Sequence, residues 1–150
     1  MNIFQNIDLN NLDKLIIDPN DSTSYKNFNL KNYIDNKRNV IFFFIENSKE
    51  AINYYVELVK TKNIPILLSP NLDSNFIEFL IKKYAPNYIL SKSNKILNVN
   101  YIKIKKLKNY YLYQEIKKID HSPYDDLCLL MNTSGTTGSP KLVKLSYENI

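Results

Sequence analysis

A chain of 150 residues is the size of one domain or of part of a larger one, and its 44% hydrophobic and 23% charged residues exclude wholesale disorder. The formal charge of +5 comes almost entirely from lysine. Arg38 is the only arginine, which weakens a nucleic-acid reading because planar, bidentate readout of phosphates and bases favours arginine.

The first 37 residues are polar with scattered apolar positions: KLIID reads as a short strand, PNDSTS as a turn and LKNYIDN as a short helix. VIFFFI, from Val40, is a continuous β-branched and aromatic run, the pattern of a strand covered on both faces. Asn47 then reads as an N-cap with Glu50 three residues on. Ile52, Tyr55, Val56 and Val59 follow at helical spacing, and that helix ends near Asn63.

IPILLS is strand-like, with Pro65 tolerated near its start, and SPNLD is a turn. Ile77, Leu80, Ile81 and Tyr84 repeat the helical spacing. Lys82 and Lys83 favour the negative end of that helix, and Pro86 stops it. NYILS is a third strand. Strand, helix, strand, helix, strand with short connections predicts an α/β fold, a βαβαβ unit with a parallel sheet and right-handed crossovers. A β-rich segment follows, because VNYIKIKKL and the stretch around YYLYQEI alternate as strands with one wet face do, with Asn109 near the turn between them.

Cys128 is the single cysteine, which excludes an intrachain disulfide and fits a reducing compartment. Within the apolar strand LCLLM it reads as a small buried hydrophobe. His121 has no Cys or Glu nearby at metal-ligand spacing, so no metal site is expected. Asp125 and Asp126 project in different directions at a strand start and do not make an acid/base pair. The N-terminus lacks a basic stretch followed by an apolar one, and VIFFFI is far too short to span a bilayer. A soluble cytoplasmic protein without a membrane span is therefore expected.

TSGTTGSPK, residues 133 to 141, contains both glycines of the chain. Gly135 and Gly138 can take positive φ without steric cost, turning successive backbone N–H groups toward one point and making an anion-binding nest. Thr133, Ser134, Thr136, Thr137 and Ser139 add hydroxyl donors, Pro140 stiffens the exit, and Lys141 adds a full positive charge. Such a loop fits a polyphosphate, since hydrogen bonds to charged oxygens contribute roughly 1.5–3 kcal/mol each. It is not a Walker A loop, in which four residues separate the glycines, nor a G-x-G-x-x-G fingerprint. The GXXG loop of KH domains matches Gly135 to Gly138 literally, but it joins helices, whereas this loop stands between the strand-like runs LCLLM and KLVKLS.

LLMNTSGTTGSPKLVKLSYENI resembles the phosphate-loop signature of the adenylate-forming (AMP-binding, acyl-CoA synthetase-like) enzymes, with all of positions 133 to 141 fitting it. The upstream stretch from NSKEAINYY to APNYIL is similar to that family's first helix-strand-helix-strand unit. The resemblance implies the N-terminal portion of an AMP-forming ligase, which activates a carboxylate with ATP and Mg²⁺ as an acyl-adenylate and passes it to a thiol, such as CoA or a carrier protein, or to an amine. Thr133, Ser134, Gly135, Thr136, Thr137, Gly138, Ser139 and Lys141 would then hold the ATP phosphates. Leu142 stands where the family usually has Gly, which favours strand directly after Lys141. Tyr147 stands where it usually has His, on the route toward the acyl site.

The family's later adenine, ribose and acyl segments and its catalytic lysine would lie beyond Ile150. Residues 1–150 are therefore expected to be a truncated, incomplete N-terminal domain, inactive alone. The alternative is a free-standing module that uses the GTTG loop to bind a nucleotide or an RNA backbone.

Overall fold

The computed structural model describes residues 30–94, 98–117, 119–132 and 142–150, so the expected KLIID strand and PNDSTS turn lie outside the described residues. Strand β1 is Val40–Phe44, helix α1 Lys49–Lys60, β2 Ile64–Leu68, α2 Ser74–Tyr84 and β3 Tyr88–Ser91, which is the βαβαβ unit read from the sequence. Strands β4 (Tyr101–Lys106), β5 (Tyr111–Glu115), β6 (Leu127–Asn132) and β7 (Leu142–Ser146) extend it into one sheet of order β4-β5-β3-β1-β2-β6-β7. The expected helix in LKNYIDN is only a 3-10 turn at Leu30–Asn32.

The helix ends follow local chemistry. Ser48, rather than the expected Asn47, caps α1, its hydroxyl accepting from the Ala51 N–H at 3.2 Å. The helix stops at Lys60, short of Asn63, because Lys62 turns to φ 59° and Thr61 bonds back to the Glu57 carbonyl through its N–H and its hydroxyl. In α2 the Asp73 carboxylate accepts from the N–H groups of Asn75 and Phe76, and Ala85 at φ 43° closes the helix just before Pro86.

Strand β1 lies between two parallel neighbours, with Val40↔Ile64 through Phe44↔Leu68 on one edge and Ile41↔Tyr88 through Phe43↔Leu90 on the other. The chain steps from β1 to β2 in one direction and from β2 back across β1 to β3 in the other. Two crossovers of the same hand then require helices on opposite faces, and the packing has that form. Ile41 and Phe43 pack with Ala51, Tyr54, Leu58 and Val59 of α1, while Phe42 and Phe44 pack with Leu80 and Ile81 of α2. Strand β1 thus has no wet face, which is why it reads as an unbroken apolar run.

The expectation of one wet face on the β-rich segment holds only in part. Strand β5 pairs antiparallel with β3 and with β4, so it lies inside the sheet, and the consecutive residues Leu112 and Tyr113 are buried on opposite faces. Strand β4 is the edge. Its Ile102, Lys103 and Lys106 are exposed, and a bulge falls between Lys103 and Lys105, two devices that discourage pairing with another chain.

One buried polar group stands out in α1. The Glu57 side chain is 97% buried (3% exposed), with Oε1 accepting from the Lys31 N–H at 2.9 Å and Oε2 without a partner. Burial pushes its pKa above the ordinary 4.5, only partly opposed by the backbone N–H groups of Lys31 and Leu30. The folded chain therefore binds the proton more tightly than the unfolded chain. This contribution to stability is complete below about pH 4.5 and is lost as pH rises through the folded pKa.

Urea titrations of Glu57→Gln should show a flatter pH dependence than wild type across that window, with no loss of stability at neutral pH; parallel curves would contradict the assignment. Phe43→Ala, which empties a fully buried site, should lower the unfolding free energy by about 3–5 kcal/mol in the same titration.

Candidate functional site

The candidate residues Thr133, Ser134, Gly135, Thr136, Thr137, Gly138, Ser139 and Lys141 lie outside the described residues. What the structure gives is the frame that carries them. Strands β6 and β7 form an antiparallel pair whose last rungs are Met131↔Val143 and Asn132↔Leu142, so residues 133–141 begin and end at one paired position. The strand expected directly after Lys141 is present, and Leu142 is half-buried against the α2 face of the sheet.

The hairpin stem opens at a particular end of the sheet. Strand β6 runs parallel to β2, with Ile66↔Leu130 and Leu67↔Met131, so Asn132 emerges at the carboxyl ends of the parallel strands. That is the edge at which open α/β sheets receive ligands. Beside it, the Lys92 ammonium bonds Glu46 at 2.7 Å, joining the ends of β3 and β1. Glu50 at the start of α1 accepts from Asn109 and, at 3.3 Å, from Lys108, which ties the β4–β5 turn to the helix.

A bulge between Leu127 and Leu129 turns both Cys128 and Leu129 toward the α1 face. Cys128 is fully buried, and burial pushes its thiol up to about 11 against a smaller opposing effect of Arg38, so it is a protonated core residue at neutral pH, as expected. Tyr147 is carried away from the stem. Its N–H bonds the Asp126 carbonyl at 3.0 Å at the far end of the hairpin, roughly 16 Å along β7 from Leu142 at the usual strand rise. There the ring packs against the α1-face core, and burial raises its phenol pKa.

The remaining polar residues have structural roles. His121 Nε2 lies 2.7 Å from the Ala85 carbonyl at the end of α2. The Asp125 carboxylate stands 3.9 Å from Arg38, and the Asp126 backbone carbonyl accepts from the Tyr147 N–H. No group of His, Cys, Asp and Glu able to hold a metal is present among the described residues. None of the described helices is long and apolar enough to cross a membrane.

One feature has no signal in the sequence: a polar cavity of about 230 Å³ at the opposite end of the sheet, lined by Asp35, Asn39, Asn87, Tyr88, Gln114 and Glu115. Its residues come from segments that only the sheet order brings together. No family model matches the chain, and no curated protein matches it either.

Thiol alkylation tests the placement of Cys128. The native chain should resist iodoacetamide at pH 8 and react on addition of urea; rapid native labelling would contradict a buried, protonated thiol.

Proposed function

We propose that residues 133–141 are the ATP phosphate-binding loop of an adenylate-forming enzyme, and that this chain is the N-terminal portion of an AMP-forming ligase. The observation that supports the proposal is the pair Asn132↔Leu142, which stands at the carboxyl edge of the parallel strands and flanks in sequence the nine-residue run of glycines, hydroxyls and lysine.

In this reading the backbone N–H groups around Gly135 and Gly138, with Ser134, Thr136 and Thr137, surround the β- and γ-phosphates, and Lys141 neutralises their charge. Thr133 and Ser139 bound the nest. Mg²⁺, which the resemblance implies, would share the charge of the phosphates. The loop's contribution is positioning and electrostatic, which is most of what phosphoryl and adenylyl chemistry asks of a protein. The substrate is a carboxylate and the acceptor a thiol or an amine. Both sites, and the residues that complete the reaction, belong to the rest of the ligase, so the chain alone binds without turnover. Its single buried thiol fits a reducing, cytoplasmic setting.

Calorimetric titration with Mg·ATP tests this. Wild type should bind, and Lys141→Ala should weaken the affinity about tenfold to a hundredfold, the size of one charge-assisted hydrogen bond. Equal affinity would remove Lys141 from the site. No ATP binding together with steeply salt-dependent binding of single-stranded RNA would contradict the ligase reading.

A further inference from the structure

Arg38, the only arginine, lies just before β1, yet its guanidinium serves other segments. Nε donates to the Lys62 carbonyl at 3.2 Å, Nη1 to the Tyr124 carbonyl at 2.5 Å and the Pro123 carbonyl at 3.5 Å, and Nη2 to the Leu127 carbonyl. The Asp125 carboxylate stands 3.9 Å away, and the side chain is 18% exposed.

Lys62 immediately precedes the approach to β2, and Leu127 is the first residue of β6. The backbone pairs linking these strands are Ile66↔Leu130 and Leu67↔Met131. Toward the start of β6 the bulge between Leu127 and Leu129 breaks the regular spacing, and among the described residues no β2–β6 pair precedes Ile66↔Leu130. There the guanidinium bridges the Lys62 carbonyl on the β2 side and the Leu127 carbonyl on the β6 side.

We propose that Arg38 is a positioning residue that fixes the β6–β7 hairpin against β2 and thereby sets where the loop stem Asn132↔Leu142 stands at the carboxyl edge. Its effect on the loop rests on the phosphate-loop reading above; its effect on the hairpin does not. A planar fork suits this role because it offers five donors in fixed directions to separate carbonyls, whereas a lysine offers one compact ammonium. The arrangement acts at the end of β6 remote from the loop and so does not depend on contact with a nucleotide.

The test is amide hydrogen exchange of wild type, Arg38→Met and Arg38→Lys, without nucleotide. In Arg38→Met, exchange at residues 129–131 and 143–145 should rise at least about tenfold while residues 41–43 and 89–90 keep their protection. Unchanged exchange in the hairpin would overturn the proposal, as would a uniform rise across the sheet. If Arg38→Met does not fold, Arg38→Lys decides by the same two outcomes.

The positioning role is then read from Mg·ATP affinity. Arg38→Lys should bind several-fold more weakly than Ile89→Val, a core variant used at matched melting temperature; equal affinity would contradict it. Failure of the wild type to bind ATP would contradict the phosphate-loop reading, and the exchange data would still decide whether Arg38 fixes the hairpin.

Discussion

Strand β1 is hydrogen-bonded along both edges, to β2 and to β3, and its successive side chains enter two different cores, Ile41 and Phe43 under α1 and Phe42 and Phe44 under α2. Every other placement depends on that double burial. A strand with no wet face must have a helix on each side, and helices on opposite faces require the chain to cross β1 between β2 and β3. The crossing leaves the outer edge of β2 free for β6, and β6 in turn presents its carboxyl end beside that of β2. The position of the β6–β7 stem is thus a consequence of five consecutive residues that lie far from it in sequence.

The polar groups follow the same logic of joining what the sheet order brings close. Lys92–Glu46 links the ends of β3 and β1, and Asn87 accepts from the Val40 N–H while donating to the Ile119 carbonyl. Arg38 spans the starts of β2 and β6. Asn87 and Arg38 thereby satisfy backbone carbonyls and an N–H, and an unsatisfied buried group costs about 1–3 kcal/mol. Among the described residues the exceptions are Glu57, with one oxygen lacking a partner, the Asn53 side-chain amide, and the hydroxyls of Tyr110 and Tyr147. At Glu57 the stability depends on pH through a buried carboxylate.

Much of this was legible from local pattern. The unbroken run at Val40 announced a strand buried on both faces, and the helical spacing of Ile77, Leu80, Ile81 and Tyr84 announced α2, with Pro86 marking its end. Local pattern failed where long-range pairing decides burial. The alternation around YYLYQEI looked half-wet, but β5 is interior because β3 and β4 flank it. The helix expected in LKNYIDN shrank to a 3-10 turn that supplies a backbone N–H to Glu57 from another element. Capping was one residue off because the helix begins at Lys49, so that the extended Ser48 holds the cap position and its hydroxyl accepts from the Ala51 N–H. The phosphate-loop reading of residues 133–141 rests on residue types alone; the placement of the pair Asn132↔Leu142 at the carboxyl edge, the contacts of Arg38 and the bond from Tyr147 to Asp126 required the sheet order.

The central claim is that a polyphosphate is received at the β6–β7 stem. The most direct measurement is an amide chemical-shift titration of the uniformly labelled chain with Mg·ATP. Saturable shifts at Met131, Asn132, Leu142 and Val143, with Tyr88 and Gln114 at the opposite end of the sheet unmoved, are the predicted result. Shifts confined to Tyr88, Gln114 and their neighbours, or none at the stem at saturating nucleotide, would contradict it.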